Sequence, residues 1–272
     1  MHSLAVYSIK GGVGKTATAV NLAYVGASLG YRVLLWDLDP QGATSYYLRV
    51  KAKVKGGGRR MLQAKSSLDR WILGSDFDGF DLLPADFSYR HLDLVLQESK
   101  QPRQKLAEVL EPLTSQYDWL LLDCAPSISL VSEGVFEAVD ALLVPTIPTT
   151  LSLRTLEQLL KHLKDWGRGR PQVLPFLSML ERRKSLHRKV AEAVARSEAG
   201  FLQTAIPFSA LVEAMGKHRS PVAAYSPRCG PAACFRKLWA EMETAVTAGA
   251  DGHALQEPKA KVIAEIHKAL QN

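Results

Sequence analysis

The sequence predicts an α/β fold, a mainly parallel twisted sheet with helices on both faces. Three features predict it. Short runs such as LAVYSI (4–9), YDWLLLDCA (117–125) and ALLVPT (141–146) are apolar without alternation, the pattern of strands buried on both faces. Stretches with helical spacing lie between such runs, and strands that alternate with helices build parallel sheets. The first run stops at a glycine loop that opens a helix, so the chain leaves the sheet there.

The elements follow in order. The strand at 4–9 leads into a helix from Thr16 to Leu29, with Ala19, Leu22, Ala23 and Val25 to Ala27 towards a core and Gly30 as its stop. YRVLLWDLD (31–39) is a second buried strand that ends in acids. Further strands are predicted at 80–85, 117–125, 141–146, 172–178 and 201–206, and helices near 102–115, 129–138, 152–166, 185–197 and 229–247. RVKAKVKGGGRR (49–60) carries six basic residues, no acids and three consecutive glycines, and reads as a flexible basic loop. Residues 1–247 are expected to form one domain, 248–258 a linker and 259–272 a C-terminal amphipathic helix.

Composition narrows the function. The chain has 272 residues, 34 Lys and Arg against 27 Asp and Glu, and a formal charge of +7, which leans towards a polyanionic partner. Its three cysteines, Cys124, Cys229 and Cys234, are too few for a disulfide framework and wrongly spaced for a zinc pair, so a reducing cytoplasm fits best. The N-terminus is too short in apolar residues for a signal peptide, and no later run approaches the roughly 18 residues of a membrane span.

The chemistry is concentrated at the ends of strands, where parallel sheets bind ligands. GGVGKT (11–16) follows a strand and opens a helix, the context a phosphate loop requires. Gly11, Gly12 and Gly14 let the backbone take unusual angles and, with Val13 and Ala17, offer N–H groups to phosphate, Lys15 can reach its outer oxygens, and the Thr16 hydroxyl can ligate Mg²⁺. Asp123 closes WLLLD opposite and can hold that ion through a water. DLDPQG (37–42) supplies Asp37 and Asp39. One can complete the magnesium shell while the other orients an attacking water, and Asp39 before Pro40 also suits a turn.

KGGVGKT, DLDPQGAT, YDWLLLDCAPS and the run from Ile206 to Pro227 together resemble the ParA/Soj branch of the ParA–MinD ATPases, P-loop NTPases with a deviant Walker A loop. The resemblance covers roughly residues 3–245. It implies an ATP hydrolase that uses ATP and Mg²⁺. Lys10 would be the lysine that crosses a dimer interface to the partner's ATP, acting with Lys15 and Asp39 in hydrolysis. Asp39 would orient the water, Asp37 would support the metal, and Asp123 would be the Walker B acid. Adenine contacts would fall at Ser178 or Met179 and at Pro207 and Phe208. One departure is Ala17, where the family usually has a second threonine, so a hydroxyl contact to the α-phosphate is lost.

The same resemblance implies a homodimer on ATP, non-specific DNA binding, a ParB-like or cargo-adaptor protein that stimulates hydrolysis, and a cytoplasmic protein that is nucleoid-associated when ATP-bound. Basic residues suited to DNA are Arg182, Arg183, Lys184, Arg188 and Lys189 in RRKSLHRK, then Lys217 and Arg219, then Arg236. Operator repression is not expected, because the phosphate loop begins at residue 10 with no helix-turn-helix before it. The alternatives are a MinD-like membrane switch and an ATP-dependent metabolic enzyme. Val262, Ile263, Ile266, Ala269 and Leu270 have the spacing of a membrane face, but that face has no Phe or Trp and Glu265 offsets its lysines, so membrane attachment is not expected.

Overall fold

Seven strands form one sheet in the order β3-β4-β2-β5-β1-β6-β7 in a computed structural model that describes residues 1–63, 68–164, 166, 170–196, 200–250 and 258–270. They are β1 (His2–Val6), β2 (Val33–Asp37), β3 (Leu73–Gly74), β4 (Phe80–Leu83), β5 (Trp119–Asp123), β6 (Ala141–Thr146) and β7 (Gln172–Leu177). All pairings are parallel except β3 with β4. In chain order the helices are α1 (Lys15–Ser28), α2 (Ala43–Tyr47), α3 (Gly57–Leu62), α4 (Leu92–Gln97), α5 (Lys105–Leu110), α6 (Leu130–Ala138), α7 (Thr150–Lys164), α8 (Ser185–Arg196), α9 (Ala210–Glu213), α10 (Met215–His218), α11 (Val222–Tyr225), α12 (Gly230–Ala250) and α13 (Ala260–Ala269).

The period-2 geometry of the strands divides the core in two. Leu4 and Val6, Val33 and Leu35, and Trp119 and Leu121 face α1, α2 and α10 to α12. Their neighbours Ala5, Leu34, Trp36, Leu120 and Leu122 face α3 to α8 and α13. The same parity decides where the acids go. Asp37 extends the 33, 35 series and Asp123 the 119, 121 series, so both carboxylates fall on the α1 side. α1 is fixed there between the sheet and α12. Trp239 lies so close on Gly26 that a side chain at that position would begin 2.4 Å from its ring.

Several expectations are corrected. Residues 201–206 do not form a strand: the Leu202 and Ile206 N–H groups bond the carbonyls of Pro175 and Leu177, so four residues of one segment span two of the other and no regular ladder develops. The basic stretch 49–60 is partly helical. Gly56 and Gly57 turn the chain at φ 91° and 71° into α3, Val54 is buried, and Arg59 pairs with Glu98 at 2.6 Å. Its glycines serve close packing rather than looseness, since a methyl at Gly58 would meet Leu92 at 2.6 Å. The expected linker begins inside α12, which runs to Ala250, and the rest of it up to residue 257 lies outside the described residues. α13 is present, and its apolar face is already used: Ile263 and Ile266 are buried in the core shared with α7 and α8. Among the described residues no helix is long and apolar enough to cross a membrane.

Candidate nucleotide site

The site lies beyond the carboxyl ends of β1, β2 and β5. The loop after β1 ends at Gly14, which caps α1 in the left-handed region at φ 91°, and Gly12 is also left-handed at φ 69°. An L-residue at either would be strained. Gly11, expected to need an unusual angle, does not adopt one, and a side chain there would meet only Pro126 at 3.9 Å. Lys15 is the first residue of α1, and its side chain folds back so that Nζ donates to the Lys10 carbonyl at 3.3 Å. Burial pushes its ammonium below the usual lysine range, and the nearby Asp123 opposes that shift.

Asp37 and Asp123 are adjacent in register across the parallel β2–β5 pair, and both are fully buried. Burial raises both carboxyls above the ordinary range, and for Asp37 the neighbouring Asp123 adds to it. The Thr44 hydrogen bond and the nearby Thr16 hydroxyl pull Asp123 the other way. One oxygen of each acid is spent. Thr44 Oγ1 donates to Asp123 Oδ2 at 2.8 Å, while the Ser45 N–H and Oγ donate to Asp37 Oδ2 at 2.8 and 2.7 Å. The other oxygens, Asp37 Oδ1 and Asp123 Oδ1, are buried with no hydrogen-bond partner. Two like charges with unspent oxygens are unfavourable alone and well suited to a divalent cation, which reverses the local electrostatics. Magnesium needs only one or two protein carboxylates beside phosphate and water. Thr16, Asp37 and Asp123 therefore fit that ion.

Asp39 separates from Asp37 at the strand end. It is half-buried, and its Oδ1 accepts the Gln41 N–H at 2.9 Å, so it does form the turn and also stands at the open side of the site. Lys10 is half-buried at the same edge, where its Nζ donates to Ser152 Oγ of α7 at 3.2 Å. Cys124 is buried and its thiol is pushed up by that burial, so it is an inert strand-end residue.

The adenine candidates come together around the loop. Ser178 Oγ donates to the Val13 carbonyl at 2.8 Å, and Met179, left-handed at φ 53°, borders Gly14. Pro207 and Phe208 are brought beside them because the Phe208 N–H bonds the Leu180 carbonyl. Pro207 and Phe208 line a cleft of about 870 Å³ together with Arg182, Arg183 and Lys237 and with the acids Glu181 and Glu241. Ala17 packs half-buried against the α1-side core. Among the basic candidates, Arg182, Arg183, Arg188, Lys189, Lys217 and Arg236 are exposed, Lys184 is exposed but paired with Glu181, and Arg219 is half-buried against Tyr46. Sequence reasoning missed Thr44, Ser45 and Ser152 as site residues. Thr44 lies within DLDPQGAT and was within reach of the motif, whereas Ser152 meets Lys10 only through the fold.

A family model described as an AAA domain matches residues 1–171. The chain is 30% identical over 254 residues to the chromosome partitioning protein ParA of Caulobacter vibrioides, covering 89% of this chain and 94% of that one. It is 30% identical over 245 residues to the sporulation initiation inhibitor protein Soj of Bacillus subtilis, covering 88% and 97%. The fold is shared with cobyrinic acid a,c-diamide synthase from Mycobacterium smegmatis, a structure with bound ADP and magnesium, at a TM-score of 0.74 and 24% identity over 95% of this chain and 99% of that one. The chain belongs to the ParA–MinD family of ATPases, enzymes that hydrolyse ATP with magnesium.

Proposed function

We propose that this chain is a ParA-like ATPase that dimerises on ATP, binds duplex DNA without sequence preference, and positions DNA or another cargo on the nucleoid until hydrolysis releases it. The observation that carries this reading is positive charge placed where the fold does not need it. Arg182, Arg183, Arg188 and Lys189 project at the junction of β7 and α8, and Arg182 and Arg183 line one cleft with Lys237 of α12, where Glu181 is taken by Lys184 and Glu241 by Gln203 and Thr204. Phosphate contacts need only such charge, and they carry no sequence information.

The nucleotide site has the parts for hydrolysis. The N–H groups around Gly12 and Gly14 and the start of α1 cradle phosphate, and Lys15 supplies the cation. Thr16, Asp37 and Asp123 would hold magnesium, which when bound neutralises charge on the transferring phosphate. Asp39 at the open side orients the water, and Met179, Pro207 and Phe208 flank the base. Lys10 rests on a single hydroxyl at the mouth of the site, so it is free to reach a partner's γ-phosphate. The same edge carries Ile128 and Leu151, exposed at 51% and 64%, an apolar rim that suits a second copy. A ParB-like or cargo-adaptor protein would stimulate turnover, and the chain would be cytoplasmic.

DNA binding measured against salt tests the reading, using unrelated duplexes in ATP, ADP and no nucleotide, beside anionic liposomes. Binding only in ATP, at any sequence and falling steeply with salt, is expected. Liposome binding in ATP without DNA binding would replace it with a membrane switch. One observation favours a second reading, an ATP-dependent enzyme acting on a small molecule: the cleft of about 870 Å³ is large enough for a substrate, on a fold shared with a diamide synthase. Turnover that depends on an added carboxylic acid and an amine donor would support it.

A further inference from the structure

Two helices of the nucleotide site converge on one basic turn. The first is α2. Its buried Thr44 and Ser45 hold Asp123 and Asp37. Its other end is gripped from outside: Arg219 Nε donates to the Tyr46 carbonyl at 2.9 Å, and the guanidinium lies 4.6 Å from the centre of the Tyr46 ring. Arg49, just beyond the helix, donates from Nη2 to the His218 carbonyl at 3.2 Å. The second helix is α1, which begins at Lys15. Its Asn21 Oδ1 accepts the Val222 N–H at 2.8 Å, and its Nδ2 lies 3.2 Å from Met215 Sδ. The turn that carries Lys217, His218 and Arg219 is thus tied by both ends to α1 and clasped to α2.

The two ends of α2 differ in strength. Thr44 and Ser45 are fully buried, while Tyr46 is 52% exposed and its clasp is open to solvent. Partly exposed contacts of this kind open first. Arg219 also holds an unusual left-handed conformation at φ 48°, which a non-glycine residue keeps only when its surroundings impose it.

We propose that α2 is a two-way link between the catalytic acids and the basic turn at residues 215–219. Arg219 closes the clasp that keeps Thr44 and Ser45 on the acids, so loss of the clasp slows ATP turnover. Arg219 and Tyr46 are positioning residues, since neither touches the reacting atoms. The link does not rest on the DNA-binding reading above. Linkage makes the effect reciprocal, so ATP site occupancy changes how readily Arg219 is released.

The test uses the full chain without DNA, with kcat expressed per site titrated with nucleotide so that misfolded protein does not count. Arg219→Asn removes the guanidinium with a residue that tolerates the left-handed conformation. It should lower kcat about fivefold, the low end of ordinary coupling between sites, and leave KM for Mg-ATP within about twofold. Tyr46→Ala keeps the carbonyl acceptor and removes only the ring contact, so it should lower kcat less than Arg219→Asn does, and the double variant should be no slower than Arg219→Asn alone, which already removes both contacts. Arg219→Lys keeps a donor without the flat fork and should restore part of the loss. An unchanged kcat in Arg219→Asn, or losses that multiply in the double variant, would overturn the link. A DNA titration of wild type separates the two ideas. If no DNA binds, the proposed function falls, yet a slow Arg219→Asn without DNA still supports the link.

Discussion

The nucleotide pocket and the basic surface are built on different rules. Each pocket residue is placed by backbone geometry. Lys15 opens α1, and Asp37 and Asp123 pair in register on one face of the sheet. Moving either acid by one residue along its strand would turn it to the opposite face. Arg182, Arg183 and Lys217 are placed only by being exposed, and a shift of one residue would leave the field they produce nearly unchanged. The pocket should therefore respond to single changes in an all-or-none way, and the surface in small, additive steps.

The pocket half of that contrast breaks if single substitutions there are mild. Lys15→Ala removes one partner of a buried charged group, a loss of about 3–5 kcal/mol. Affinity for Mg-ATP should fall roughly 100-fold or more by calorimetry, and retained micromolar binding would mean that phosphate sits elsewhere. Asp39→Ala should reduce turnover about 100-fold while an ATP-bound dimer persists in size-exclusion chromatography; normal turnover would assign the water to another group. Thr44→Val keeps the shape but removes the bond to Asp123 Oδ2. Hydrogen bonds to charged groups are worth about 1.5–3 kcal/mol, so kcat should drop about tenfold with the ATP affinity less affected. If instead affinity falls and kcat does not, Thr44 supports binding rather than the transition state.

The contrast also explains what was legible in the sequence. Buried strands, the glycine loop and the acids leave strong local marks, because each must occupy one position relative to a strand end. Asp37 and Asp123 could be named from the apolar runs VLLWD and WLLLD that they close. Features that depend on distant partners were not legible. FLQTAI has a strand's composition, yet the spacing at which it meets β7 was not encoded in its own residues. The glycines at 56–58 looked like slack because Tyr89 and Leu92, which press on Gly58, lie far along the chain. Ser152 is 142 positions from Lys10, and no local pattern marks it. The face of α13 was readable as amphipathic, but only the structure shows that Ile263 and Ile266 pack under α7 and α8.

The surface half of the contrast is tested by the smallest effects. If Arg182 and Arg183 each meet one phosphate, Arg182→Ala and Arg183→Ala should each weaken DNA binding in ATP only about threefold at moderate salt, equally for unrelated duplexes. Each should also reduce the slope of log affinity against log salt by about 1. The double variant should approach the product of the two losses, because exposed charges act nearly independently. ATP hydrolysis without DNA is the internal control for a purely electrostatic role. An affinity loss near 100-fold from either single change would show that the arginine occupies a specific buried contact in the complex. The basic surface would then follow the same all-or-none rule as the pocket, and the division between the two regions would not hold.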